Sequence, residues 1–399
     1  MTESYWQIRN RALRRSQSTE HILTNAYDIA VIGGGLMGIA VAHYLSMAGC
    51  ERIVVLEKEF VGYGASGRNA GFLLSGMAEP YSRLVVGMGH ESAKKLMQAT
   101  IENHDLIAEA IKQKNIRCDY QRSGSYHLSL TDVECRELMD SVDLLKDDGF
   151  QAEYFDARVL RDNLRFGDYM GGYYNSGDGC LDPYAFVNGL AQGLDIIEGF
   201  DVTEIRKSDG MVNIDGSAGS VKAEMAILAI NAYSPLLDNH FKELVFPVRG
   251  QMLATAPFES NPLRDKPCYA NFGYDYFRQA PDDSILMGGL RNQFATTEIG
   301  YDDITTSGLQ EGLEGYICKN ININDFQVTA RWGGVMGNTV DGLPLIGPLP
   351  HNNSVIAAVG CNGHGFGLWM IVARDLANAI MKSETSDLLK RFSIKRFLR

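Results

Sequence analysis

Residues 27–58 read YDIAVIGGGLMGIAVAHYLSMAGCERIVVLEK, and this stretch decides the fold. Apolar residues recur at helical spacing over 36–47 and predict a helix, and the apolar runs before and after it predict two β-strands. Gly33, Gly35 and Gly38 fit the pattern G-x-G-x-x-G between the first strand and the helix. This order of strand, glycine turn, helix and strand is typical of units that bind dinucleotides.

The glycines and the acid that follows them each have a physical reason in such a unit. Gly33 allows a tight turn, Gly35 lets backbone N–H groups approach a pyrophosphate, and Gly38 lets the helix pack closely on the strand. The start of the helix directs N–H groups and its positive dipole end toward a phosphate. Glu57 lies nineteen residues beyond Gly38, where a carboxylate can accept hydrogen bonds from both ribose hydroxyls and favours a free 2′-OH.

Glycine clusters also arise by chance in this chain, because 42 of its 399 residues are Gly. A turn with a purely structural role is therefore the alternative. The strand, helix and acid at the expected spacing favour an adenine dinucleotide, and these residues alone do not distinguish NAD from FAD.

The composition predicts a globular protein that binds a small molecule. Hydrophobic residues make up 45% of the chain, enough for the buried cores of two or three domains. The net charge of −12 argues against nucleic acid or an anionic membrane surface as a partner. No stretch has the apolar length of a membrane span, and the N-terminal segment lacks the apolar core of a secretory signal, so we expect no stable membrane insertion.

Seven cysteines are scattered along the chain without a spacing typical of a metal site. We therefore expect no metal, and reduced thiols in a cytoplasmic protein. Four arginines between Arg9 and Arg15 give the N-terminus some likeness to a transit peptide, but Glu3 and Glu20 flank them. We expect a structured or loosely packed N-terminal arm. The oligomeric state stays open, a homo-oligomer included.

A glycine-rich stretch follows the dinucleotide unit. Residues 62–76 read GYGASGRNAGFLLSG, whose small residues let a flat ring or a phosphate lie against the backbone, while Arg68 and Asn69 supply polar contacts. An ordinary surface loop is the alternative, although the apolar residues at 72–74 favour burial. We predict a functional loop.

The remaining elements are predicted from periodicity and turn residues. In chain order they are a helix at 91–112, a strand at 121–130, a helix at 132–146 with Thr131 and Glu134 as a capping box, a helix at Asp182 and Pro183 with the Asp as its N-cap, and an antiparallel excursion at 201–233. They continue with strands within 246–257 and 268–291, the latter with a hairpin about Asp282 and Asp283, a helix at 304–319, a strand at 326–335, and a strand, glycine turn and helix over 354–381. The middle part has no nucleotide signature and is the expected substrate domain.

Eight segments in this order resemble the D-amino-acid oxidase-like superfamily of flavoproteins, in particular its glycine oxidase, sarcosine oxidase and gamma-glutamylputrescine oxidase branch. They are IGGGLMGIAVAHYL with LEK, GASGRNAGF, LDPYAFVNGL, ILAINAYSPLL, PVRGQMLAT, YFRQAPDDSILMGG, TVDGLPLIGP and GCNGHGFGL. The resemblance covers nearly the whole chain. It implies an α/β fold in which an FAD-binding Rossmann-like domain (27–85, 151–236 and 328–399) is interleaved with an α+β substrate domain built on an antiparallel sheet (86–150 and 237–327), after an N-terminal arm (1–26).

The resemblance implies FAD rather than NAD. It places the three glycines at the pyrophosphate, Glu57 at the adenosine ribose and the Val202 backbone at the adenine. The full set of cofactor-binding residues that it implies is Gly33, Gly35, Leu36, Met37, Gly38, Glu57, Lys58, Ser66, Gly67, Arg68, Asn69, Ala70, Gly71, Val202, Ala229, Asn231, Gly334, Asp341, Gly363, His364, Gly365, Phe366 and Gly367.

The implied reaction is transfer of a hydride from a carbon that bears an amine to flavin N5, which gives an imine that water hydrolyses. The protein would hold the C–H bond in place and keep the amine neutral, so we expect no nucleophile or triad. Tyr276, Arg278 and His364 are the catalytic candidates: Tyr276 contacts the substrate and Arg278 pairs with a carboxylate. A packed Tyr, an exposed Arg and a hydrogen-bonded structural His are the alternatives.

Two further features bear on the chemistry. A helix that starts after Gly363-His364-Gly365 would direct N–H groups at the negative charge of a reduced flavin. Arg68 and Arg122 are further cationic candidates, whereas Arg249 is expected to order its own turn.

The sequence departs from the family pattern at four places, one of which is Gly367 after Phe366, where sarcosine oxidases carry a lysine. Sarcosine oxidases attach their flavin through a cysteine before the Asp-x-x-Pro turn, where this chain reads RWGGVM at 331–336, so we expect non-covalent FAD. Glycine oxidase-like members carry an arginine just before that turn, where this chain has MGN at 336–338. The strand ILM at 285–287 lacks the lysine that favours oxygen in sarcosine oxidases, which leaves oxygen, a quinone and a carrier protein open as electron acceptors.

The function expected from all of this is FAD-dependent oxidation of the CH–NH bond of an amine or amino acid derivative. Oxidation of a CH–OH group, as in hydroxyacid or glycerol phosphate enzymes of the superfamily, is the alternative within enzymes. A non-catalytic flavin-binding subunit of a larger complex is the alternative of another class.

Overall fold

The computed structural model describes residues 2–14, 26–164, 167–258 and 266–397. The α-helices in these ranges are α1 (Tyr5–Arg9), α2 (Leu36–Met47), α3 (Tyr81–Met88), α4 (His90–Lys114), α5 (Asp132–Asp147), α6 (Ala157–Leu164), α7 (Pro183–Leu190), α8 (Ser234–Leu237), α9 (Ser307–Tyr316), α10 (Gly365–Lys382) and α11 (Asp387–Arg391). The strands are β1 (Ala26–Ile32), β2 (Ile53–Glu57), β3 (Phe72–Leu73), β4 (Ser125–Ser129), β5 (Glu153–Asp156), β6 (Gly171–Asn175), β7 (Gly179–Cys180), β8 (Ile196–Glu198), β9 (Val202–Ser208), β10 (Met211–Gly216), β11 (Gly219–Leu228), β12 (Val245–Pro257), β13 (Cys268–Ala270), β14 (Asp275–Gln279), β15 (Ser284–Gly289), β16 (Val328–Thr339), β17 (Leu345–Leu349) and β18 (Asn352–Val359). Arg15 and Glu20 of the predicted arm lie outside the described residues.

The first sheet carries the glycine turn. Its strands follow the order β17, β18, β11, β1, β2, β8, and those from β18 to β8 run parallel. β1 is central, and its Val31 pairs with Val55 of β2 and with Ile227 of β11. β9 and β10 extend β11 as an antiparallel hairpin, which confirms the predicted excursion.

Both faces of β1 are buried, which explains why its sequence is continuously apolar. Ile29 and Val31 pack in the cluster that contains α2 and α10, whereas Ala30 and Ile32 pack in the cluster that contains β10. Side chains alternate between the faces of a strand, so one apolar run serves both layers. α2 begins at Leu36 and ends at Met47, the bounds that the apolar spacing predicts.

The second sheet follows the order β16, β12, β15, β14, β13, β4, β6, β5 and is antiparallel except where β13 runs parallel to β4. Along the chain, groups of its strands alternate with groups from the first sheet: β4–β6 and β12–β16 belong to the second sheet, and β1–β2, β8–β11 and β17–β18 to the first. The predicted fold class, a Rossmann-like part interleaved with a part built on an antiparallel sheet, is therefore confirmed.

The division into domains remains a prediction, and strand pairing differs from it at three strands. β5, β6 and β16 belong to the second sheet, although the ranges predicted for the FAD-binding domain contain them. β6 pairs with β4 and β16 pairs with β12, and both of these partners lie within the predicted substrate ranges. Pairing between strands so far apart in the chain leaves no local pattern in the sequence.

The N-terminal arm is structured in its described part. Ser4 caps α1 and forms a reciprocal capping box with Gln7. Trp6 is fully buried, and its Nε1 donates a hydrogen bond of 2.8 Å to the carbonyl oxygen of Asn69. The Ser4 hydroxyl donates to the carbonyl oxygen of Gly67 at 2.6 Å, so the arm is fastened to the predicted functional loop.

Two helices differ in detail from the prediction. Thr131 caps α5 as expected, but the Glu134 carboxylate accepts from Leu130 N at 2.8 Å and Phe272 N at 2.9 Å and does not complete a capping box. The helix predicted at 304–319 consists of α9 and a π-helical turn, Ile317–Ile321. Across the described ranges, no helix combines the length and apolar character needed to cross a membrane.

Candidate active site at the glycine turn and the facing cavity

The glycine turn is as tight as the sequence predicts. Gly33 has φ +110°, and a Cβ there would lie 2.6 Å from the carbonyl oxygen of Ala229 at the end of the neighbouring strand. A Cβ on Gly38 would lie 1.9 Å from the carbonyl oxygen of Gly33. Only glycine fits at either position, and the start of α2 therefore sits directly against β1.

α2 starts without a cap from its own N-terminal residue. Gly35 is the N-cap and supplies no side chain, while Leu36 N donates to the hydroxyl of Ser66 at 2.8 Å. This bond joins the glycine turn to the functional loop. The side chains of Leu36 and Met37 are buried in the core, so only their backbone can face a ligand at the turn.

Glu57 closes the first strand–helix–strand unit. Its two carboxylate oxygens accept one backbone hydrogen bond each, from Gly34 N at 2.6 Å and from Glu59 N at 2.9 Å. Burial raises the pKa of Glu57 to about 7, and these two hydrogen bonds oppose that rise. Each carboxylate oxygen can accept a further hydrogen bond.

The residues predicted near the adenosine lie around Glu57. The carbonyl oxygen of Glu57 accepts from Phe200 N at 2.9 Å, which brings the start of β9, with Val202, to the end of β2. The Lys58 ammonium pairs with Asp201 at 3.0 Å and is exposed. The structure thus brings Val202, Glu57 and the glycine turn together.

The functional loop is held by its own polar groups. Asn69 donates from Nδ2 to the carbonyl oxygens of Ala65 and Ser66, and its Oδ1 accepts from Gly71 N at 2.8 Å. Asn69 therefore fixes the loop, and the backbone of 66–71, including Gly67 and Ala70, is what the loop can present to a ligand.

Arg68 does not supply the free polar contact that the sequence suggested. Its side chain is buried and donates to the carbonyl oxygens of Tyr63 at 2.7 Å and Gly333 at 2.9 Å. Arg68 also forms an ion pair of 3.1 Å with Asp303 and donates to the carbonyl oxygen of Thr2. With its guanidinium engaged in this way, Arg68 connects the loop to β16 and to the N-terminal arm.

The residues predicted beyond the loop divide into two groups. Asn231 has φ +46°, and its Oδ1 accepts from Gly360 N at 3.0 Å, which ties the end of β11 to the end of β18 beside Ala229. Gly334 lies against Arg68, with a hypothetical Cβ 3.3 Å from the Arg68 Cβ. Asp341, in contrast, is exposed and pairs with Arg396 at 2.7 Å.

A second glycine turn, residues 360–367, lies at the start of α10. His364 is the N-cap of α10 and supplies no side-chain cap, Gly363 has φ +83°, and the helix begins at Gly365. The Phe366 carbonyl oxygen accepts from Asn103 at 2.7 Å, and Gly367 N donates to His364 O at 3.1 Å. α10 therefore begins where the sequence predicts.

The Nδ1 atom of His364 is buried and has no hydrogen-bond partner within the described part of the chain, whereas the ring makes a hydrogen bond with the backbone of Asn362. Burial lowers the pKa of His364 to about 4, so the ring is neutral at physiological pH. It lies parallel to the ring of Tyr269, with centroids 6.5 Å apart.

A cavity of about 40 Å³ opens between the second sheet and the turn at His364. Its walls are mainly aromatic and aliphatic; they include Leu74, Met77, Tyr81, His127, Tyr173, Tyr269, Phe272 and His364. Four rings form a stack along one wall: Tyr173 on His127 at 4.4 Å, His127 on Tyr269 at 6.1 Å, and Tyr269 on His364 at 6.5 Å. An apolar cavity with a few polar groups is typical of a small-molecule site.

The other two catalytic candidates differ in position. Tyr276 is half-buried on β14, 6.1 Å from the Tyr269 ring and 6.4 Å from the Phe72 ring, so it lies near the wall of the cavity. Arg278 is 1% exposed; its Nη1 donates to the carbonyl oxygens of Gly71 and Leu181.

Arg278 therefore lies outside the cavity, contrary to our expectation of a carboxylate partner. Its guanidinium is 5.1 Å from the centre of the Trp6 ring, and the arm covers it. The alternative, an exposed arginine, does not match either. Arg122 is at the surface with Asp105 at 2.7 Å, and Arg249 is buried with Glu298 at 2.8 Å, as an ordering role requires.

Three residues of the cavity, His127, Tyr173 and Tyr269, were not predicted from the sequence. They lie on β4, β6 and β13 respectively, and β4 pairs with both of the other strands in the second sheet. The only signal in the sequence was a histidine inside the predicted strand at 121–130, which is too weak to mark a site by itself.

A family model described as FAD dependent oxidoreductase matches residues 28–379. The chain belongs to this family. Its relatives include the probable oxidoreductase OrdL of Haemophilus influenzae, 27% identical over 89% of this chain and 83% of the relative. The gamma-glutamylputrescine oxidoreductase of Escherichia coli is 26% identical over 88% of this chain and 83% of its own length.

Among solved structures, the glycine oxidase from Geobacillus kaustophilus has the same fold. It aligns with a TM-score of 0.80 at 21% identity, over 94% of this chain and 100% of that one. The described residues of this FAD-dependent oxidoreductase also fit the cofactor physically. The glycine turn admits a close approach to backbone, and Glu57 has acceptor capacity left. α10 starts without a side-chain cap beside His364, whose Nδ1 has no hydrogen-bond partner among the described residues.

Proposed function

We propose that this chain oxidises the CH–NH bond of a small amine or amino acid derivative to an imine, with FAD bound non-covalently. Membership of the FAD-dependent oxidoreductase family supports the cofactor, and a relative named for gamma-glutamylputrescine, aligned over most of both chains, supports an amine. The observation that carries the proposal is the cavity lined by aromatic rings and two imidazoles beside the second glycine turn.

The residues proposed to hold FAD follow from the two glycine turns. The turn at 33–38 and the start of α2 would bind the pyrophosphate, Glu57 the ribose, and the backbone of 66–71 and 363–367 the rest of the cofactor. Bound FAD supplies the two-electron acceptor.

Non-covalent binding is supported by the cysteines. The segment 331–336 contains none. Cys361, which lies in the second glycine turn, is buried, and burial raises the pKa of its thiol. A thiol that stays protonated is a poor nucleophile, so attachment through Cys361 is disfavoured.

The walls of the cavity suit a neutral amine. Aromatic side chains exclude water and bind a substrate by burying its apolar surface. The neutral His364 adds no positive charge that would repel an ammonium group. Tyr276 and Tyr269 are the proposed substrate contacts from the second sheet. Burial raises the pKa of both phenols, which stay neutral hydrogen-bond donors at physiological pH.

The electron acceptor and the location are part of the proposal. β15 reads SILMGG, is buried throughout and has no lysine, which supports an acceptor other than oxygen. Seven free cysteines support a reducing, cytoplasmic compartment.

Anaerobic titration of the FAD-loaded protein with primary amines, secondary amines, amino acids and hydroxy acids tests the function. At least one amine should bleach the visible flavin bands and release ammonia or an amine together with a carbonyl product. Bleaching by hydroxy acids or glycerol phosphate alone would favour CH–OH oxidation. Bleaching by dithionite but by no substrate in the panel would favour a non-catalytic subunit. Re-oxidation of the bleached protein by air or by a quinone identifies the acceptor.

A further inference from the structure

His127 is the polar group at the centre of the aromatic wall. It lies on β4, where Tyr173 covers one face of its ring at 4.4 Å and Tyr269 lies 6.1 Å away on the other. Because rings cover both faces, the imidazole can meet other groups only through its edge. That edge carries the two ring nitrogens.

One nitrogen of His127 is directed at a buried carboxylate. Nε2 lies 3.7 Å from Oδ2 of Asp178, which is 0% exposed. The same Oδ2 accepts from the Ser125 hydroxyl at 2.6 Å, and Oδ1 accepts from the backbone N and the hydroxyl of Ser75, both at 2.8 Å. The carboxylate is therefore fixed in place. The 3.7 Å separation is longer than a hydrogen bond, and bonds of acid–base groups often shorten only when substrate binds.

Asp178 has no lysine or arginine within 4.0 Å in the part of the chain that the structure describes; His127 is the group that can balance its charge. His104 also lies in the field of Asp178, but burial lowers the pKa of His104 to about 4, so it is neutral. A buried carboxylate without a counter-charge is costly. Asp178 is therefore placed to stabilise an imidazolium formed at His127.

The other nitrogen of His127 is the one available to a ligand. Nε2 is sealed from solvent and has no hydrogen bond among the described residues, whereas Nδ1 is not sealed, and the residue lines the cavity. We propose that Nδ1 of His127 accepts a proton from the ammonium form of the substrate and that Asp178 stabilises the resulting imidazolium. The N–H bond of the ammonium breaks, the proton bonds to Nδ1, and the electron pair stays on the substrate nitrogen.

This step rests on the proposed function, because only a neutral amine can give up a hydride from the neighbouring carbon. A pair of this kind, a histidine oriented by a carboxylate, is a common general base.

The other titratable groups that face His127 are not placed to do this. Burial raises the pKa of Tyr173 and Tyr269, so both stay protonated, and burial lowers the pKa of His364 to about 4. The Glu134 carboxylate also lines the cavity, but it accepts from the backbone N–H groups of Leu130 and Phe272.

The test is the pH dependence of flavin bleaching by the best amine of the panel, measured without oxygen in the FAD-loaded enzyme. In the wild type, the rate should rise with pH through the titration of His127 and then level off. In His127→Gln, the rate below the pKa of the free amine should fall by about 100-fold, as for a lost general base, and it should keep rising with pH up to that pKa. Asp178→Asn should move the wild-type midpoint to lower pH.

A second histidine–aspartate pair provides the control. His351 Nε2 lies 3.0 Å from Asp238 Oδ2, but the pair is exposed and does not line the cavity. His351→Gln should leave both the rate and its pH profile unchanged.

A binding measurement separates catalysis from folding. An amine analogue with no hydrogen on the carbon next to nitrogen cannot be oxidised, and its dissociation constant should change by less than threefold in His127→Gln. In the wild type, proton NMR of the His127 ring should show a higher titration midpoint with the analogue bound. If His127→Gln does not retain FAD, the role of His127 is tested instead by the NMR titration of the wild type and by the pH profile of Asp178→Asn.

An unchanged pH profile in His127→Gln, or an unchanged NMR midpoint, would overturn the role of His127 while leaving amine oxidation intact. A wild-type enzyme that no amine bleaches would instead overturn the proposed function. The two failures are therefore distinguishable.

Discussion

Gly38 of α2 lies so close to Gly33 of the glycine turn that a Cβ at position 38 would be 1.9 Å from the Gly33 carbonyl oxygen. The helix can therefore start directly above the end of β1 only if position 38 has no side chain. The same approach places the first N–H groups of α2 at the turn, where we propose that the pyrophosphate binds.

Replacing Gly38 with alanine should force α2 away from the turn. We expect Gly38→Ala to lower the free energy of unfolding by about 3 kcal/mol, as overpacking does, and to weaken FAD binding. Gly87→Ala is the matched control, since Gly87 also lies in a helix, α3, but has no atoms within 4 Å of a Cβ. Chemical denaturation should show Gly87→Ala to be neutral or stabilising by up to about 1 kcal/mol. Equal effects of the two changes would contradict the close packing.

Glu57 should make the stability of the flavin-free protein depend on pH. Its pKa is about 7 in the folded chain and the ordinary 4.5 when unfolded, so the folded state binds the proton more tightly. Stability from this group is fully present below pH 4.5 and is lost as the pH rises through 7. Glu57→Gln should not lose this stability. Its free energy of unfolding, relative to that of the wild type, should therefore rise by at most about 3 kcal/mol between pH 5 and pH 8.

Thermal melts of the two proteins across that pH range measure the effect of Glu57. Glu224→Gln, an exposed change in the same sheet, is the control and should follow the wild type. FAD affinity should respond in the opposite sense: Glu57→Gln should raise the dissociation constant about tenfold or more, as the loss of a charge-assisted hydrogen bond does. An undiminished FAD affinity would contradict the ribose assignment.

The buried ion pair between Arg249 and Glu298 should stabilise the second sheet. The Arg249 side chain is 5% exposed and that of Glu298 is 1% exposed, and Gln251 also donates to Glu298 at 2.8 Å. Glu298→Gln leaves a buried guanidinium without a counter-charge and should cost about 3 kcal/mol. Asp162→Asn removes one partner of an exposed pair with Arg158 and should cost less than about 0.5 kcal/mol. Urea denaturation compares the two, and similar costs would show that Arg249 is not sealed from water.

Trp6 should couple the N-terminal arm to the functional loop. Trp6→Ala removes a buried side chain and its hydrogen bond to Asn69, and it should cost about 3–5 kcal/mol. FAD affinity should fall as well, because the arm also bonds to Gly67. Ile8→Ala changes an exposed residue of the same helix and should alter neither quantity. A variant of Trp6 that loses stability but keeps full FAD affinity would show that the arm does not position the loop.

The parts of the fold that local sequence specifies were predicted well. The bounds of α2, the Asp182 cap of α7 and the hairpin between β14 and β15 all depend on residues within a few positions of one another. Periodicity, a capping side chain and turn residues carry that information directly. The start of α10 was predicted for the same reason.

The fate of individual polar side chains was not predictable, because distant segments decide it. Arg278 was expected at the substrate, but Trp6 and the Gly71 backbone from the other end of the chain cover it. Arg68 is likewise occupied by Thr2 and by β16. His127 became a candidate only when its strand was found beside those of Tyr173 and Tyr269, since alternation shows which face a residue takes but not which strands are its neighbours.

The visible absorption spectrum of the purified protein, repeated on the supernatant after acid precipitation, shows whether the chain binds FAD and whether the bond is covalent. Flavin bands should appear with the native protein, or on addition of FAD, and should move to the supernatant with the acid. Bands that stay in the pellet would contradict non-covalent binding. A protein that shows no flavin bands even with added FAD would contradict the assignment of the glycine turn and, with it, the proposed oxidation.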